Sequence, residues 1–94
     1  MFKTPPTQPQ GLLNVLVDCA CEYGDRHDAA MDLAAFDEPE VEAALLAVAL
    51  EHSEDPDIAD AAGESLSEIW LRKGKNFPEL VAAMHPEARK FFLP

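Results

Sequence analysis

Four prolines constrain this chain more than any other residues. Pro39, Pro56, Pro78 and Pro86 each open an apolar-periodic segment, and none of the 8 prolines falls inside one. A proline in the first helical turn lacks an N–H that would have no intrahelical partner anyway, and its φ is already helical; deeper inside it breaks the helix. The placement predicts a succession of short helices, each started by a proline. Gly24 and Gly74 stand where helices are expected to stop. β-branched residues are few and period-two alternation is absent, so no strand pattern competes. The predicted fold class is all-α.

The helices follow from apolar spacing. Leu12, Leu13, Leu16, Cys19, Ala20 and Tyr23 recur at three- and four-residue steps, predicting a first helix over 12–23. A short helix is expected over 26–35, with Ala29, Ala30, Leu33 and Ala34 on one side. A third is expected over 38–52, with Asp37 as cap and Glu40 three residues on. Its 41–50 run is apolar nearly all round, as for a central helix covered on several faces. The fourth is expected over 56–73, capped by Asp55 and closed by Arg72 and Lys73, with Ile58, Ala61, Ala62, Ser65, Leu66, Ile69 and Trp70 as its apolar stripe. Trp70 fits either the core or an interface anchor. Gly63 shares a face with Ala59 and Leu66, which predicts close approach of another helix. Segments 77–84 and 86–93 read as two covering helices. Residues 1–10 read as an extended arm, and 11–94 as one helical domain.

Pro39-Glu40-Val41-x-x-Ala44 recurs as Pro56-Asp57-Ile58-x-x-Ala61, each copy following an acidic residue. The segment from Asp55 to Ile69 is similar to the second half of a HEAT-like repeat: an acidic-Pro turn, then a helix with small residues, Leu and Ile. Glu42 and Ala59 stand where that family has a basic residue. The resemblance covers residues 36–71 and implies a short HEAT-like stack of four to six helices, with the first helix and the C-terminal pair as caps. It implies a binding scaffold rather than a particular activity.

A chain of 94 residues buries roughly 65% of its unfolded surface, enough for one modest core. Acids number 18 and bases 7, a net charge of −11. Such a balance disfavours direct nucleic-acid binding and docking on anionic membranes, because both need cationic side chains. The charge is also segregated: residues 1–71 carry −14 and residues 72–94 carry +3. Glu38, Glu42, Asp57, Asp60, Glu64 and Glu68, on two adjacent helices, are the candidate partner-binding residues. Two roles stand open for them: a solubilising face, or a mimic of phosphate charge that docks on a basic groove. Should that face not bind, the first helix and the Asp25–Asp32 segment are the next candidates.

No catalytic constellation is evident. The residues three before His27, His52 and His85 are Gly24, Ala49 and Ala82, so the Glu-x-x-His pattern of helical di-metal sites is missing. His52 reads as the C-terminal cap of its helix. Cys19 and Cys21, two apart in a helical pattern, face apart and read as reduced thiols. The expectation is a cytoplasmic, non-enzymatic protein without metal or cofactor, monomeric when alone, that binds a basic protein. Small, acidic and HEAT-like without catalytic groups, it is similar to immunity proteins that neutralise bacterial toxins, nucleases among them, by covering a basic cleft. The alternatives are a HEAT-like adaptor or assembly factor, or an accessory protein of an enzyme complex.

Overall fold

The computed structural model describes residues 8–18 and 20–93. Cys19 and most of the expected N-terminal arm lie outside these residues. Among the described residues there are six α-helices and no strand: α1 (Gln10–Val17), α2 (Tyr23–Asp32), α3 (Pro39–Leu50), α4 (Pro56–Lys73), α5 (Pro78–Ala83) and α6 (Pro86–Arg89). A 3-10 turn, Leu33–Ala35, extends α2. All four helix-opening prolines occupy the first helical position, as their placement predicts.

The helices stack as three hairpins in two layers. Tyr23 at the start of α2 bonds Asp57 at the start of α4, Ser65 reaches Ala30, and Arg72 at the end of α4 reaches Ala34, so α2 and α4 run parallel. His85 bonds the end of α3, Ala88 abuts Gly63, and Phe92 meets Trp70, so α6 lies parallel on the other flank of α4. The start of α3 meets the end of α4 through Lys73 and Glu42, so these two are antiparallel. Helix α3 packs on α1, and its Ala43 and Leu46 line a groove with Leu80 of α5, giving the second layer.

Helix α4 is the centre of this arrangement. Nine of its residues are buried, and it packs against α2, α3 and α6. Asp55 caps it by accepting from the Asp57 and Ile58 N–H groups at 2.9 and 3.4 Å. Gly74 ends it at φ 68°, with the Lys75 N–H returning to the Trp70 carbonyl at 2.8 Å. A β-carbon built on Gly63 would lie 2.5 Å from Ala88 Cα and 2.7 Å from its carbonyl oxygen. The glycine is therefore what lets α6 cross so closely. Val41, Leu45, Val48, Leu66, Ile69 and Trp70 belong to one continuous core. Trp70 is core: it is 4% exposed, edge-on to Phe77 at 5.0 Å and tilted against Phe92 at 5.3 Å.

Several expectations are corrected by local chemistry. The first helix stops at Val17, six residues early. Asp18 takes an extended conformation and its carboxylate accepts from the Ala20 N–H at 2.9 Å, turning the chain. Tyr23 consequently opens α2, Cys21 lies in the connecting bend, and Gly24 sits in the first turn of α2 instead of ending a helix. Glu38, not Asp37, is the N-cap of α3, because Pro39 holds the first helical position; Asp37 is bound by Arg72 instead. Helix α3 is buried at Val41, Leu45, Val48 and Ala49 but exposes Ala43 and Ala47, so its all-round apolar character reflects small residues facing water. Central burial belongs to α4.

Candidate functional site: an acidic outer face

The apolar stripe of α4 faces the core, which turns Asp57, Asp60, Glu64 and Glu68 away from it. Glu68 and Asp57 are exposed, and Asp60 and Glu64 half-buried. The flanks differ. On the α6 side, Lys90 bonds Asp60 at 2.6 Å and Glu87 at 2.8 Å, and these two carboxylates hold the Lys90 ammonium above the usual lysine range. On the α2 side, Glu64 and Glu68 have no cationic partner among the described residues. Asp57 accepts a hydrogen bond from the Tyr23 hydroxyl at 2.7 Å. That bond to a carboxylate, with partial desolvation, pushes the Tyr23 phenol up to about 12.

Helix α2, parallel to α4, carries Asp25, Asp28 and Asp32 beside its buried Ala29, Ala30 and Leu33. All three are exposed, and the His27 Nδ1 lies 4.0 Å from Asp28. Among the described residues, Asp57, Glu64 and Glu68 on α4 and Asp25, Asp28 and Asp32 on α2 are in no ion pair with Lys or Arg. The spacing of Asp25, Asp28 and Asp32 along one helical face is legible in the sequence. Tyr23 is the side chain of α2 that meets α4, and Asp25 and Asp32 lie about half a turn round the helix from it, so they do not extend the α4 ridge.

The remaining candidates are not brought to this face. Glu38 and Glu42 belong to the start of α3, beside the end of α4. Asp57 sits at the opposite end of that helix, about 25 Å away at 1.5 Å per residue. Glu38 is exposed at the N-cap. Glu42 is enclosed by Lys73 at 2.7 Å and Lys75 at 3.0 Å. Burial alone would raise its carboxyl, but the two ammonium groups hold it below the usual range. Glu42 is thus a structural ion-pair residue that ties α3 to the end of α4. Asp60 is likewise engaged from within, by Lys90.

Other ionisable groups serve the scaffold. Arg26 forks onto both oxygens of Glu54 at 2.8 and 3.1 Å and donates to the Leu16 carbonyl at 3.0 Å, joining the end of α1 to the α3–α4 turn. Its hydrogen bonds hold the Glu54 carboxyl below the usual range despite partial burial. His52 lies beyond the end of α3, not on its last turn, and its Nε2 is 2.7 Å from the Ala83 carbonyl, so it caps α5. His85 Nδ1 accepts from the Glu87 N–H at 3.0 Å as the cap of α6. Partial burial, with Asp18 beside it, pushes the Cys21 thiol up, away from the range of an activated nucleophile. Among the described residues no three His, Cys, Asp or Glu side chains are grouped to hold a metal ion, and no helix is long and apolar enough to cross a membrane.

Comparison with protein families, with curated proteins and with solved structures gave no match.

Proposed function

We propose that this chain is a non-enzymatic binding protein that presents the outer face of α4 to a basic surface of a partner protein. The observation that carries the reading is the row Asp57, Glu64 and Glu68 on α4, which has no Lys or Arg partner among the described residues. Surface helices built only for solubility commonly mix signs at i,i+4. Here, Arg26, Arg72, Lys73 and Lys75 each bond a carboxylate elsewhere, and Lys90 holds Asp60 at the edge of the face. The resulting field steers a cationic partner toward the outer layer.

In its sharpest form the proposal is an immunity protein, cytoplasmic and monomeric until it meets its toxin. It would neutralise the toxin by covering a basic active-site cleft. A cleft built for phosphates carries fixed cations, and a row of carboxylates along one rigid helix matches it in sign. The HEAT-like resemblance and the small acidic chain support this version. Affinity capture from the native cell, followed by mass spectrometry, is the test. Recovery of a basic protein whose toxicity is suppressed by co-expressing this chain is the expected result. A neutral or acidic partner would overturn the reading.

A helical adaptor is favoured by one observation. Between α5 and α6 an open groove of about 440 Å³ is lined by Val81, Ala82, Phe92 and Leu93 with Arg89 at its wall. In a stacked helical repeat, a following hairpin packs on such a surface.

A further inference from the structure

The acidic ridge of α4 ends on an apolar side chain. Leu71 is 85% exposed, one turn beyond Glu68 on the same helical face. A single exposed leucine needs no explanation. Leu71, however, rims a groove of about 260 Å³ whose other walls are Ser67, Glu68, Phe91 and Phe92, with Trp70 beneath. That volume falls below the roughly 300–1,000 Å³ of small-molecule sites. It suits one large side chain.

The charges around the groove define what that side chain belongs to. Glu64 and Glu68 approach it without cationic partners among the described residues. Lys75, which also lines it, is bound to Glu42, and Lys90 is bound to Asp60 and Glu87. The groove is thus an apolar slot at the end of an anionic track. We infer that it receives one aromatic or large aliphatic side chain from a basic segment of the partner, whose lysines or arginines lie along Glu68, Glu64 and Asp57. The inference rests on the binding reading above and adds its anchor. The acids give rate and register, and the buried apolar anchor gives residence time.

Two synthetic peptides test it: a lysine-rich helix bearing a single phenylalanine, and the same peptide with alanine there. Trp70, the only tryptophan in the chain, reports on the groove by its fluorescence. The phenylalanine peptide is expected to bind at least about tenfold more tightly and to shift the Trp70 emission. Leu71→Ser should reduce its affinity to that of the alanine peptide while leaving the melting temperature unchanged. Equal binding of both peptides, weakened by salt and by Glu64→Lys, would overturn the anchor and leave the acidic-face reading standing. Absence of binding by either peptide at low salt would overturn both. Self-association abolished by Leu71→Ser would give the groove to a second copy of the chain and likewise overturn the inference.

Discussion

Replacing Gly63 by alanine sets two effects against each other, and the structure decides the winner. Helix propensity favours alanine over glycine by about 1 kcal/mol in a helix interior. The added β-carbon would lie 2.5, 2.7 and 2.8 Å from Ala88 Cα, carbonyl oxygen and Cβ. Ordinary carbon–carbon contact is about 3.5–4.0 Å. Because two of the atoms met are backbone, no rotamer change relieves the overlap; α6 must move by about 1 Å or more. Overpacking of this kind costs about 1–3 kcal/mol. Displacing α6 also disturbs the Phe92–Trp70 contact and the Lys90–Asp60 bond. The net expectation is a loss of about 1–2 kcal/mol, or roughly 4–16 °C in Tm for a domain of this size. Gly24→Ala is the control. A β-carbon added at Gly24 would meet nothing within 4 Å, and the backbone there is already helical. The same change should therefore be neutral or stabilise by up to about 1 kcal/mol. Urea unfolding followed by circular dichroism and by Trp70 fluorescence measures both. A Gly63→Ala protein as stable as the parent would refute the close α4–α6 crossing.

Three further expectations concern the core, the buried hydroxyl and pH. Leu66, fully buried, should cost about 2–5 kcal/mol when cut to alanine, read as a lower urea midpoint at unchanged m-value. Ser65→Ala removes a buried bond of 2.6 Å to the Ala30 carbonyl and should cost about 1 kcal/mol in the same assay. The single tyrosine should ionise near 12 in the folded protein, with Asp57→Ala returning it toward its ordinary value, as followed by phenolate absorbance. A raised folded-state value means the neutral phenol is favoured by folding. Its contribution is complete below about 10 and fades as pH rises toward 12. Glu42 and Glu54 have the opposite sign: their lowered values favour the folded state above the usual carboxylate range and lose that effect as pH falls.

How much of the fold is legible in the sequence depends on whether a residue's role is local. Proline at a first helical position acts within one turn, so four helix starts are readable. Asp55 and Gly74 act on their own helix and are also readable. Gly63 signals a close crossing because a helix-interior glycine has a cost that packing must offset. The end of α1 is not readable, because apolar spacing through Cys19, Ala20 and Tyr23 imitates a helix, while the turn is made by the Asp18 carboxylate. The acidic face is legible as composition and spacing. Its division is not, since the bonds from Lys90 to Asp60 and from Lys73 and Lys75 to Glu42 join residues about 30 positions apart. The slot that Leu71 rims is also hidden, because Phe91 and Phe92 come from another segment.

The central claim is that Glu64 and Glu68, bonded to no cation among the described residues, meet a basic partner. Titration calorimetry of the Glu64→Lys, Glu68→Lys double variant against the captured partner addresses it most directly. Fields from exposed charges are screened within about 8 Å at physiological ionic strength, so salt should weaken parent binding. The melting temperature should stay nearly equal to the parent's while the affinity falls by orders of magnitude. An affinity equal to the parent's, with the same response to salt, would contradict the claim.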